Sequence, residues 1–103
     1  MLFLIQIETS VPAETPAEVK EELRQGELRR AMELIAAGKL RRIWRVVGRV
    51  ASCSIWEAES FEELHTLVQS LPYYPYMKLS VTPIIQHPAA DAWIHQHGSM
   101  PLF

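Results

Sequence analysis

Apolar and polar positions first alternate with a period of two. Leu2 to Thr9 carries Phe3, Ile5 and Ile7 on one side, which predicts a half-buried strand. Pro12 and Pro16 stop that pattern, and from Ala17 the period lengthens. At about 100° per residue, Leu23, Ala31 and Leu34 fall on one helical stripe, with Glu27 in the middle of it. Thr15-Pro16-Ala17-Glu18 reads as the helix start, with Thr15 as N-cap, Pro16 at the first helical position and Glu18 closing a capping box. The helix is expected to run to about Ala37, where Gly38 fits the left-handed position that ends helices. Gly26 inside it costs about 1 kcal/mol relative to alanine. Its place beside Glu27 leaves room for a strand or a ligand to come close.

The alternation then returns. Leu40 to Val47 predicts a second strand, Gly48-Arg49 a hairpin turn or bulge, and Val50 to Ala58 a third strand holding Cys53, Ile55 and Trp56. Ser60-Phe61-Glu62-Glu63 is a second capping box, opening a short helix whose Phe61, Leu64, Val68 and Leu71 share a face. Pro72 and Pro75 end it, and Met77 to Ile85 reads as the last strand, with Pro83 placing its end at a sheet edge. The order β-α-β-β-α-β is that of an α+β, ferredoxin-like domain: a four-stranded antiparallel sheet with both helices on one face. Residues 1–88 form this domain, and residues 89–103 are a C-terminal tail.

Both sheet faces carry bulk, because Trp44 and Val46 oppose Ile43 and Val47, and Met77, Leu79 and Val81 oppose Ile84. Helices cover one face. The other would be an apolar patch of the kind that marks an interface, so pairing with a second copy, as a dimer or higher homo-oligomer, is expected. The tail residues Trp93, Ile94, Met100, Leu102 and Phe103 are too apolar to hang free and are expected to pack on a neighbouring subunit.

Composition narrows the classes. With 103 residues, 49% hydrophobic content and a net charge of −2, the chain is an ordinary globular domain rather than a disordered or polyanion-binding one. Arg41, Arg42, Arg45 and Arg49 cluster without the flanking aromatic platform of a nucleic-acid module, so no nucleic acid is expected. One cysteine allows neither an internal disulfide nor a metal-binding spacing. No apolar run has membrane-spanning length, and the N-terminus lacks the basic start of a signal peptide. A cytoplasmic protein that touches no membrane is expected.

Glu27 is the residue with most chemical promise. Burial among apolar neighbours raises a carboxyl pKa toward the working pH and makes a usable base; alternatively Glu27 is a structural ion pair with Lys20, Arg24 or Arg30. Arg45, beside Trp44, is an anion anchor or an interface cation. Tyr76 is a hydrogen-bond donor to a ligand or a tyrosine tied to backbone. His87, before Pro88, reaches a pocket or caps a turn. His65 lies off its helix's apolar face, and His95 and His97 are poorly spaced for a shared metal. Cys53 reads as a small core residue, and Trp44, Trp56, Tyr73 and Tyr74 as pocket wall or core.

Arg41, the pair Trp44-Arg45, Gly48, the run Ala51 to Ile55, Leu71-Pro72, Pro75-Tyr76-Met77 and His87-Pro88, with the opening Met1-Leu2-Phe3, resemble muconolactone delta-isomerase over roughly residues 1–90. The resemblance implies a dimeric α+β-barrel scaffold that builds higher oligomers. It also implies a cofactor-free double-bond shift in an unsaturated lactone, muconolactone to enol-lactone, in aromatic-compound breakdown. On that basis Glu27, Arg45 and Tyr76 are the candidate catalytic residues and Trp44, Cys53 and His87 the candidate substrate contacts, with no metal and no cofactor. Leu28 stands where the family usually has a lysine, Ser52-Cys53 where Asn-Tyr is common, and Lys78 where an acidic residue is common. These departures leave open a related isomerase or cyclase acting on another substrate in a biosynthetic pathway, and a non-catalytic oligomeric ligand-binding protein.

Overall fold

A computed structural model describes residues 1–101. Its elements are β1 (Leu2–Thr9), α1 (Ala17–Ala36), β2 (Leu40–Arg45), β3 (Ala51–Glu57), α2 (Phe61–Gln69), a single 3-10 turn (Tyr74–Tyr76), β4 (Met77–Ile84) and α3 (Pro88–His97). The four strands form one antiparallel sheet in the order β2-β3-β1-β4, the ferredoxin-like arrangement.

The period-two stripe of β1 does what its pattern requires. Phe3, Ile5 and Ile7 are buried, and Leu34 of α1, Leu64 and Val68 of α2, Leu40 and Trp56 complete the core with them. At the sheet's centre Ser54 is fully buried. Its hydroxyl donates to the Ile5 carbonyl at 3.2 Å and accepts the Trp56 indole N–H at 2.9 Å. A buried indole thus keeps its partner without water.

The helix ends differ in how they are made. Ser60 caps α2 as its sequence indicates, its Oγ accepting from the Glu63 N–H at 3.1 Å. The Glu63 carboxylate meets Lys39 at 2.8 Å, clamping the end of α1 to the start of α2. The Lys39 bond also holds the Glu63 carboxyl below its usual range. The expected Thr15 capping box does not form: Pro16 is the N-cap, with no side-chain cap bond. Thr15 belongs to the preceding turn, where its N–H donates to the Pro12 carbonyl at 3.1 Å, and the first helical bond runs from Lys20 N to Pro16 O at 3.0 Å. Gly38 does follow α1 with a left-handed φ of 75°.

Two features went unforeseen. The register of β2 against β3 slips between Leu40 and Arg42, so that Leu40 pairs with Trp56 but Arg42 with Ile55. This bulge inserts one residue, Arg41, and inverts which side chains face which way beyond it. Ile43 and Arg45 turn to the helix side, opposite Ser54 and Ser52, while Trp44 joins Cys53 on the far face. The expected tail, in turn, contains α3, begun by His87, whose Nδ1 accepts the Ala89 N–H at 3.0 Å, and ended by Gly98 at a φ of 85°. No residue of α3 is buried, and Trp93 stacks instead on His97 with ring centroids 3.9 Å apart. Leu102 and Phe103 lie outside the described residues.

Ser54→Ala should lower the unfolding free energy by about 1–3 kcal/mol in urea denaturation, because it strands the Trp56 indole donor. An unchanged midpoint would show that the Ser54 pairings do not support the core.

Candidate active site

The packing of α1 on the sheet leaves a cleft of about 670 Å³ between them, at the end where β1, β2 and β3 meet the loop after β1. Helix α1 supplies Lys20, Glu27 and Ala31; the sheet supplies Arg45, Ser52, Ser54 and Trp56; Tyr73 and Met77 close the side.

Glu27 sits where its stripe position predicts, half-buried against this cleft. Its Oε1 accepts the backbone N–H of Tyr73 at 2.9 Å. Desolvation by burial raises its pKa above the ordinary glutamate value, and the Tyr73 N–H, which favours the charged form, partly opposes that rise. The expected ion-pair alternative does not form. Arg24 bonds Glu21 at 2.6 Å, Arg30 meets Glu33 at 3.5 Å and Ser70 Oγ at 2.8 Å, and Lys20 Nζ donates to the Ala13 carbonyl at 3.3 Å. Among the described residues no cation pairs with Glu27. Its carboxylate is held by one backbone donor and otherwise faces the cleft.

Gly26 eases that bond. A Cβ at this position would lie 3.3 Å from Pro72 Cγ, so the absence of a side chain lets the Pro72-Tyr73 turn approach α1 and bring the Tyr73 N–H to Glu27. The close approach that the glycine permits is therefore made by a turn, not by a strand or a ligand.

Arg45 reaches the cleft because of the β2 bulge, and stands across from Ser52 on the sheet wall. Trp44 borders the cleft at the edge strand, although its pairing with Cys53 sets it on the sheet's far face. The structure does not bring the other candidates here. Cys53 is half-buried on the far face between Gln6 and Trp44. Tyr76 ends the 3-10 turn, its backbone N–H donating to Tyr73 O at 2.8 Å and its carbonyl accepting from Ser10 N at 2.9 Å, and it does not border the cleft. His87 is exposed and occupied as the cap of α3. Of the four aromatics, Trp56 serves both core and cleft, Tyr73 is wall, and Tyr74 packs against the core. Lys20 and Ser54 were not singled out as site residues. Lys20 lies seven residues before Glu27, hence on nearly the same helix face, a spacing legible in sequence. Ser54 gave no such signal. Among the described residues no group of three or more histidine, cysteine or acidic side chains is placed to hold a metal.

A family profile described as muconolactone delta-isomerase matches residues 1–90. The chain belongs to the muconolactone delta-isomerase family. It is 39% identical over 90 residues to the muconolactone delta-isomerases of Acinetobacter baylyi and Cupriavidus pinatubonensis, covering 87% of this chain and 94% and 98% of those relatives. A crystal structure of muconolactone isomerase superposes with a TM-score of 0.82 at 30% identity, covering 86% of this chain and 93% of that one. The family match ends at Ala90, the third residue of α3. Leu28 is 55% exposed and does not border the cleft.

The Glu27 carboxyl should titrate above the usual glutamate range in a ¹³C NMR experiment. Its contribution to stability is then fullest below the unfolded-state pKa and is lost as pH rises through the raised folded value. Gly26→Ala should push the turn away, weaken the Tyr73 bond and move the titration higher still. A midpoint unchanged in that variant would mean that the turn does not control the carboxylate.

Proposed function

We infer that this chain is a cofactor-independent intramolecular isomerase that moves the double bond of an unsaturated lactone, converting muconolactone to its enol-lactone. The observation that carries this reading is a half-buried carboxylate, free of any cation among the described residues, facing a cleft whose opposite wall holds an arginine and a serine.

The reaction needs one group that takes and returns a proton. The Glu27 carboxylate removes the proton from the ring carbon at one end of the conjugated system, and the electron pair of that C–H bond flows into the lactone carbonyl. A dienolate results. The same carboxyl returns the proton at the other end of the conjugated system, and the carbonyl re-forms, so that Glu27 ends as it began and the net change is the position of the C=C bond. A raised pKa suits both halves, since the carboxylate is then a stronger base and its neutral form stays within reach of neutral pH. The oxygen that gains charge needs donors, and the Arg45 guanidinium with the Ser52 hydroxyl, paired across β2 and β3, fits that role. Tyr76, Cys53 and His87 are left without a part in the cleft of their own chain.

Assembly belongs to the same reading. The far sheet face is apolar at its centre, with half-buried Leu2, Leu4, Cys53 and Ile55, while Leu34 of α1 and Leu64 and Val68 of α2 pack on the opposite face. A second copy stacked there, with α3 on a neighbour, is the arrangement that best removes these groups from water. Among the described residues no helix is long and apolar enough to cross a membrane. The free Cys53 fits a reducing compartment, and a cytoplasmic location goes with it.

Purified protein should convert muconolactone, followed by ultraviolet absorbance, with an acid limb in kcat/KM above the ordinary glutamate pKa. Glu27→Gln keeps an acceptor for Tyr73 but removes the exchangeable proton, and should lower kcat by about 10²–10⁴-fold with circular dichroism unchanged. A variant that is less stable yet turns over within a few-fold of wild type would remove Glu27 from the chemistry. Light scattering at micromolar concentration should report a dimer or larger, and a stable monomer would end the assembly proposal.

A further inference from the structure

The cleft holds a second cation that the reaction described above does not use. Lys20 borders it from α1. Seven residues separate Lys20 from Glu27, which on a helix is two turns less about 20°, so the two side chains lie in one line about 10 Å apart along the axis. Among the described residues Lys20 has no carboxylate partner. Its Nζ is instead folded over the rim onto a neutral group, the Ala13 carbonyl, at 3.3 Å. A solvated ammonium held by one carbonyl, beside an open cleft, exchanges that partner for an anion with a net gain, because hydrogen bonds between charged groups are roughly twice as strong as neutral ones.

We propose that Lys20 is the substrate-carboxylate anchor, fixing an acidic side arm at the cleft rim while the lactone ring lies deeper, between Glu27 and the Arg45–Ser52 pair. The assignment rests on the isomerase reading for the identity of the ring but not for the charge being recognised. The separation along α1 leaves space for a five-membered ring with a short acid arm between the ammonium and the carboxylate. It also divides the labour between the cations. Arg45 has a hydroxyl beside it on the sheet wall, a two-donor arrangement suited to a carbonyl oxygen that gains charge. Lys20, a single mobile point charge at the rim, suits a carboxylate that stays partly hydrated. The position Leu28 contributes nothing to this, since it faces solvent.

The test uses an unreactive ligand, the saturated lactone acid (5-oxotetrahydrofuran-2-yl)acetate, and its methyl ester, with binding measured by titration calorimetry on the full chain. Wild type should prefer the acid over the ester by about 10–100-fold. Lys20→Met should erase that preference by weakening the acid alone, and Lys20→Arg should keep most of it. Unchanged ester affinity in Lys20→Met reports an intact cleft. A preference that survives in Lys20→Met, or wild type that binds neither compound or both equally, overturns the anchor. Turnover of unsaturated muconolactone by wild type is measured alongside. No turnover, together with an acid preference that depends on Lys20, removes the isomerase reading and leaves the anchor standing; turnover with a Lys20-independent preference does the reverse.

Discussion

The hydrogen bond from the Tyr73 amide to Glu27 is the interaction on which the site depends. A carboxylate drawn half out of water carries a desolvation cost, and an ion pair would offset that cost and pull the pKa back down. One backbone donor, fixed by the turn after α2, is a middle course. It orients the carboxylate and leaves its pKa raised. The bond also joins α1 to the segment leading into β4, so the geometry of the Glu27 carboxylate is tied to the packing of the whole helical layer.

The second constraint is the bulge at Arg41. It decides that Leu40, Ile43 and Arg45 share the helix side of the sheet, where simple alternation would have grouped Leu40 with Arg42 and Trp44. One inserted residue thus carries a guanidinium into the cleft and a tryptophan out of its interior. The bulge and Gly26 do complementary work: one aims the Arg45 guanidinium, the other eases the approach of the turn that holds the Glu27 carboxylate.

Most of the architecture was legible because its causes are local. Phe3, Ile5 and Ile7 alternate, the Ser60 cap is a four-residue signature, and Gly38 marks a backbone conformation that few other residues adopt. Glu27 was legible for the same reason, as a charge interrupting an apolar stripe. The failures share a cause as well. Thr15 has the chemistry of a cap, but Pro16 already provides the required extended backbone at the helix entrance, and the threonine is left in the turn. Trp44 and Arg45 are adjacent in any reading, and only pairing with β3 reveals that they part company. Tyr76 and His87 carry useful groups, yet a 3-10 turn and a helix start, both set by neighbouring prolines, direct them elsewhere. Periodicity speaks of which face a residue takes on its own element, not of which element it meets.

The two edges of the sheet have a consequence for the protein in a crowded cell. β4, on one edge, contains Pro83, which has no N–H to offer a further strand, and it also carries Lys78. β2, on the other, is interrupted by its bulge and lined with Arg41, Arg42 and Arg45. Proline, clustered positive charge and bulges are the devices that stop strands from adding edge to edge. The chain is therefore poorly suited to growing into continuous ribbons. A second copy meeting this sheet is steered away from its edges and toward its broad faces.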